Sequence, residues 1–181
     1  VAEATTTATF GGNLNASGPE ATQGAINLSN TLYSDPGATT QATAATDLTD
    51  LHDANPPATP LFANGDVITV DGVNKGGTEL PARTFEVNGA NTTGSDDNGT
   101  TLGDFNDFLE DVLGINTAVG GGVAVNSGQI EVTGNSGTAN DLTIDSGDIV
   151  NNAGGASSTP FQFNQTQSAD GEAVRTRLSA F

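Results

Sequence analysis

The chain has 181 residues, of which 34% are hydrophobic, and this is enough for a lean core in one domain or in two modest ones. It carries 22 Asp and Glu residues against 4 Lys and Arg residues, and the net charge of −18 excludes nucleic acid and anionic membranes as partners. Cys and Met are absent, which excludes disulfides, thiolate metal sites and thiol nucleophiles.

The two ends of the chain are rich in Thr, Ala and Gly. Residues 4–10 predict a first strand, and an alternating run at 172–181 predicts a last one. Residues 16–60 are small, polar and interrupted by prolines, which is typical of a long surface connection. Within that connection, apolar residues at helical spacing indicate a short helix over 42–52.

Residues 61–150 have the most regular apolar periodicity in the chain. Runs of Val, Ile and Phe bounded by Gly, Asn and Asp turn signals predict five strands there. These strands are expected at 67–70, 83–87, 122–125, 129–133 and 141–144.

A helix is predicted between the second and third of these strands, at 101–114. The apolar residues there are spaced three and four apart, as one face of an α-helix requires. They are Leu102, Phe105, Phe108 or Leu109, Val112 and Leu113. Thr101 and Asp104 have the spacing of a capping box, and Gly114 suits the end of the helix.

This pattern predicts a mainly β fold with one amphipathic α-helix, a β-rich α+β fold, in two modules. An inserted domain at 61–150, containing helix 101–114, is carried on a β module made from 1–60 and 151–181. Polar breakers at Pro56 to Pro60 and an Asn, Gly and Ser run at 151–158 bound the insert. We expect the insert to fold independently, with the helix face laid on a single sheet.

Two segments contain residue types that bind metal ions. Asp50, His52 and Asp53 offer zinc ligands, but in one polar stretch they are typical of a solvated loop. Residues 94–99 are rich in the oxygens that calcium prefers, yet a Gly and a Phe occupy the first and last ligand positions of an EF-hand alignment. A turn before the helix is therefore favoured.

The sequence does not support a catalytic site or a phosphate-binding site. Asp104, Asp107, Glu110 and Asp111 fall opposite the apolar helix face, which is typical of a solvated surface rather than of paired glycosidase carboxylates. Lys75 lacks the glycines of a phosphate loop. Asn-x-Ser/Thr triplets begin at Asn15, Asn27, Asn91, Asn98 and Asn164. We therefore expect no catalytic, cofactor-binding or metal site and no enzymatic activity.

Three parts of the chain carry a resemblance to a known family. Residues 4–16, Ala-Thr-Thr-Thr-Ala-Thr-Phe-Gly-Gly-Asn-Leu-Asn-Ala, resemble the segment with which bacterial flagellar hook proteins pass into their outer domain. Residues 171–181 look like the strand that runs into a Tyr-Asp-Ser-Leu-Gly type tract in that family. Residues 61–70, the helix that follows Thr100-Thr101-Leu102, and residues 128–142 are similar to an insertion found in larger hook proteins.

The resemblance implies an outer-domain fragment of the extracellular hook, the flexible joint that transmits motor torque to the flagellar filament. The implied partners are copies of the full-length chain in a helical polymer, built by contacts that do not close. The isolated fragment is expected to be a soluble monomer. Alternatives are another cell-surface structural or adhesive module, such as a flagellin outer domain, a filament cap or an adhesin, and, less favoured, a glycan-cleaving domain.

Overall fold

The computed structural model describes residues 23–54, 59–152 and 158–170 of the chain. Within these ranges the chain forms eleven strands and one α-helix. They are β1 (Gly24–Leu28), β2 (Val67–Val70), β3 (Asn74–Lys75), β4 (Thr78–Glu79), β5 (Arg83–Val87), β6 (Asp97–Gly99), α1 (Leu102–Val112), β7 (Gly122–Asn126), β8 (Gln129–Ser136), β9 (Leu142–Thr143), β10 (Ile149–Asn151) and β11 (Asn164–Gln167). The predicted fold class, mainly β with one α-helix, is confirmed. No helix in these ranges has the length and apolar character needed to cross a membrane.

The strands form three sheets. The first has the order β11-β1-β8-β7, the second β10-β2-β5-β6, and the third, smaller one β4-β3-β9. All neighbouring strands are antiparallel except β5 and β6, which run parallel. The five strands predicted between residues 61 and 150 are confirmed, although β9 is only two residues long.

A two-residue turn joins β7 to β8. Ser127 and Gly128 both have positive φ, at 50° and 76°, as the hairpin turn that matches strand twist requires. Gly128 is also needed for space, because an added Cβ would lie 2.7 Å from the Leu32 carbonyl oxygen. The turn therefore fixes the register that pairs Val123 with Val132.

Helix α1 begins and ends as its sequence predicts. Asp104 N donates to Thr101 Oγ1, while Thr101 N donates to Asp104 Oδ2, so the capping box is complete. At the other end, Gly114 has a φ of 57°. Lys75 Nζ donates to the carbonyl oxygens of Leu113 and Gly114, at 3.0 and 2.8 Å, which places a cation at the negative end of the helix dipole.

The apolar face of α1 lies in the core of the protein. Its fully buried residues include Leu102, Phe105, Phe108, Leu109 and Leu113, whereas Val112 is only partly buried. The helix contacts β7 of the first sheet and β5 and β6 of the second. The predicted helix orientation is confirmed, but the predicted single sheet is wrong, because the helix packs against two sheets. Apolar periodicity indicates which face of a strand is buried and not which strand lies beside it.

The interpretation of residues 16–60 as a surface connection is wrong for residues 23–54, while residues 16–22 and 55–58 lie outside the described ranges. Gly24–Leu28 forms β1, which lies between β11 and β8. An added Cβ at Gly24 would lie 1.9 Å from the Gly134 carbonyl oxygen, so the strand needs glycine there. Leu32 and Leu48 are buried in the core. β1 has the sequence Gly-Ala-Ile-Asn-Leu, and its small and polar residues do not give the apolar pattern that predicts a central strand.

The short helix predicted over 42–52 is also wrong. Ala42 N donates to the Leu32 carbonyl and Leu48 N donates to the Thr100 carbonyl, so backbone groups of this segment bond to distant parts of the chain. Only a three-residue 3₁₀ turn, Leu48–Asp50, remains. Tertiary contacts override a weak helical propensity in this Thr- and Asp-rich segment.

The first sheet combines strands from both predicted modules. β1 and β11 belong to the predicted β module of residues 1–60 and 151–181, whereas β7 and β8 belong to the predicted inserted domain at 61–150. The division at 61–150 stays a prediction. The predicted first and last strands, at 4–10 and 172–181, lie outside the described residues.

Candidate functional site

An open pocket of about 260 Å³ lies where the end of α1 meets β7. Three consecutive glycines at 120–122 form part of its wall, together with Thr117, Thr133 and the carboxylates of Glu110 and Glu131. These residues offer hydroxyl, carboxylate and backbone groups. Both hydrogen-bond donors and acceptors therefore line the pocket.

Both carboxylates of the pocket already bond to β7. Glu110 Oε1 accepts a hydrogen bond of 2.8 Å from Val123 N. Glu131 Oε2 accepts one of 3.0 Å from Asn126 Nδ2. The two glutamates thus hold the first and last parts of the same strand, and no histidine lines the pocket beside them.

The three residues considered as possible zinc ligands, Asp50, His52 and Asp53, do not form a cluster. Asp50 is exposed, whereas His52 is buried and its backbone exchanges two hydrogen bonds with Tyr33. The interpretation of this segment as a solvated loop is therefore wrong for His52. Across residues 23–54, 59–152 and 158–170, no group of three or more His, Cys, Asp or Glu residues is arranged to hold a metal ion.

The acidic segment 94–99 is built into the second sheet. Asp96 Oδ2 accepts a hydrogen bond of 2.8 Å from Thr84 N, and Asp96 Oδ1 lies 3.1 Å from Arg83 Nε. The backbone N–H of Thr84, more than the charge of Arg83, lowers the pKa of Asp96. Residues Asp97–Gly99 form β6, so the favoured interpretation as a turn is incomplete.

The helix acids do not share one environment. The pKa of Asp104 is lowered by the backbone N–H of Thr101, which it caps. Asp107 and Asp111 are exposed, as predicted. Glu110 is half-buried against β7, so its assignment to the solvated face is wrong. A helix position one turn from an apolar residue can face either solvent or a neighbouring strand, and the sequence does not distinguish them.

The Asn-x-Ser/Thr triplets differ in accessibility. Asn27 is fully buried, and its Nδ2 donates to the Leu142 carbonyl oxygen at 2.9 Å. Asn98 is half-buried, while Asn91 and Asn164 are exposed. The triplet that begins at residue 15 lies outside the described residues.

Glu86 is a fully buried carboxylate that the sequence did not single out. Its oxygens accept hydrogen bonds from the hydroxyls and backbone N–H groups of both Thr92 and Thr93. The Thr92 hydroxyl, followed by the N–H groups of Thr93 and Thr92, lowers the pKa of Glu86 to about 2. Glu86 alternates with Phe85 and Val87 along β5 and so points to the opposite face of the sheet, where Thr92 and Thr93 cover it.

Glu86→Gln should destabilise the protein at neutral pH, and the loss should shrink in acid. The folded-state pKa of about 2 lies below the ordinary value of 4.5, so the ionised carboxylate contributes stability above pH 4.5 that is lost as the pH falls towards 2. Urea unfolding of the unaltered chain and the variant across this range measures the difference. Glu79→Gln, at an exposed position, is the control. A difference that does not change with pH would contradict this role for Glu86.

No protein-family model, curated protein or solved structure matches this chain significantly. The functional proposal below therefore rests on the resemblance to hook proteins, on the net charge of the chain and on the contact between residues 23 and 170.

The first and last residues that the structure describes, Gln23 and Asp170, are hydrogen-bonded to each other. Gln23 N donates to Asp170 Oδ1 at 2.9 Å, and Asp170 N donates to the Gln23 carbonyl oxygen at 3.1 Å. Gln23 Nε2 also donates to the Ser168 carbonyl oxygen. These bonds continue the antiparallel pairing of β1 with β11, so residues 23 and 170 lie side by side.

Proposed function

We propose that the chain is an outer-domain part of the subunit of the extracellular bacterial flagellar hook, with a mechanical role. The observation that carries this proposal is the adjacency of Gln23 and Asp170. A folded segment whose residues 23 and 170 lie together can be carried on another part of a longer chain without disturbing it. This is the arrangement that the resemblance to hook proteins implies for an outer domain.

The surface of the domain supports a role in contacts that break and re-form. The net charge of −18 keeps the surface hydrated and opposes permanent association. Among the described residues, Val119 is the large apolar side chain recorded as exposed, at 63%. Polar, hydrated contacts exchange at low cost, as sliding between subunits of a rotating, curved tube requires.

Deletion of the gene from the bacterium that carries it tests this proposal. Cells without the protein should lack hooks and attached filaments in electron micrographs, and should lose motility, because filament assembly follows the hook. A plasmid copy of the gene should restore both. Hooks that persist without filaments would point to a flagellin or cap, and unaltered flagella would point to an adhesin or a glycan-cleaving protein. Each of these results would contradict the proposal.

A further inference from the structure

Strand β7 forms one edge of the first sheet, with β8 on its inner side. An edge strand exposes a row of backbone groups that another chain can pair with. One of these groups, Val123 N, instead donates to Glu110 Oε1 at 2.8 Å. A side chain of α1 therefore occupies a position that an incoming strand would need.

The register of the hairpin identifies the groups that face this edge. Val123 pairs with Val132, and Val125 pairs with Ile130. Since N–H groups two residues apart point to the same side of a strand, Val125 N points to the same edge as Val123 N. The strand is largely apolar, Gly-Val-Ala-Val-Asn, whereas β11 at the opposite edge is Asn-Gln-Thr-Gln. β7 is thus the edge with the stronger tendency to pair.

We propose that Glu110 is a gatekeeper residue that prevents β7 from pairing with β7 of a second copy of the chain. Antiparallel pairing of β7 with itself is self-complementary, because Val123 of one copy would exchange hydrogen bonds with Val125 of the other. The Glu110 carboxylate blocks this pairing in two ways. It occupies Val123 N, and it would bring a second carboxylate close to its own across the two-fold axis. This inference does not depend on the proposed function.

Glu110→Ala in the full 181-residue chain should strengthen self-association by about tenfold, measured by sedimentation equilibrium over a range of concentrations. Two controls distinguish the loss of the hydrogen bond to Val123 N from the loss of a negative charge. Asp107→Ala removes the same charge from the exposed face of the same helix and should leave the chain monomeric. Glu110→Gln keeps an acceptor for Val123 N and should also leave it monomeric.

A cysteine at position 124 tests the geometry of the pairing. If Val123 pairs with Val125 of the second copy, the two Ala124 residues lie opposite each other with Cβ atoms about 5 Å apart, which is close enough for a disulfide after small adjustments. Ala124→Cys combined with Glu110→Ala should therefore form a disulfide-linked dimer under oxidation, and Ala124→Cys alone should not.

Several results would overturn the gatekeeper role of Glu110. They are a Glu110→Ala chain that stays monomeric, equal association of the Asp107→Ala chain, and association without the disulfide at position 124. A Glu110→Ala chain that associated only because it was partly unfolded would also associate without forming this disulfide. Circular dichroism of each variant shows whether the fold is retained.

Discussion

Phe105→Ala should lower the free energy of unfolding by about 3–5 kcal/mol, the largest effect that we expect from a single substitution. The Phe105 ring is fully buried. Its centroid lies 5.4 Å from that of Phe85, 5.9 Å from that of Phe108 and 5.3 Å from that of Phe161. Removal of the ring leaves a cavity between α1, the second sheet and the segment before β11, and domains of this size are stable by only about 5–15 kcal/mol.

Asp107→Ala is the matched control for this substitution. Asp107 lies two residues further along α1 and is exposed, so its removal should change the free energy of unfolding by less than about 0.5 kcal/mol. Urea unfolding of both variants and of the unaltered chain at neutral pH gives the comparison. Equal losses of stability would contradict the observed orientation of the helix.

Residues 61–150 expressed alone should fail to fold cooperatively, although their periodicity predicts an independent domain. The isolated segment loses β1, which pairs with β8. It also loses Leu32, Leu48 and Phe161 from the core. Without these partners, β8 becomes an edge strand that pairs only with β7, and the buried face of α1 is partly exposed to water. Each buried aliphatic or aromatic side chain contributes about 1.5–3 kcal/mol, so the combined loss is comparable with the stability of a whole domain.

Urea unfolding followed by circular dichroism tests this expectation on the isolated segment 61–150. The control is segment 23–170, which retains both β1 and β11 and should unfold in one cooperative transition. Cooperative unfolding of 61–150 with a free energy close to that of 23–170 would support the boundary predicted from the sequence. It would also contradict a core shared between the central segment and residues 23–54 and 158–170.

Helix α1 shows what can be predicted from this sequence. Its apolar spacing, its capping box and its terminal glycine are local signals, and they agree with one another. The β7–β8 hairpin can also be predicted from local signals, because Asn126, Ser127 and Gly128 specify a turn between two runs of strand-forming residues. The mainly β fold follows from composition and turn spacing for the same reason.

The features that escaped prediction depend on contacts between distant residues. β1 is a central strand because neighbouring backbones approach closely at Gly24, and its Asn27 bonds to the Leu142 carbonyl oxygen. Glu86 is buried because Thr92 and Thr93 fold back over it. No periodic pattern encodes such long-range pairing, so neither the central strand nor the buried carboxylate could be found from local sequence alone.

The two glutamates of the pocket could not be predicted either, because their positions depend on contacts between distant residues. The sequence pattern groups Glu110 with the exposed acids of α1, but the β7 strand that it contacts begins twelve residues later and reaches it only in the folded protein. Glu131 approaches the same strand from β8. Acidic residues are frequent in this chain, so sequence alone gives no reason to select these two.

Immunogold electron microscopy of intact cells tests the central claim, a structural subunit of the flagellar hook, most directly. Antibodies raised against the purified chain are applied to cells of the bacterium that carries the gene, with a deletion strain as the control for specificity. The account predicts gold particles on the short curved segment between the cell body and the filament, and none on the deletion strain. Gold particles along the filament, at its tip or over the cell body would contradict it.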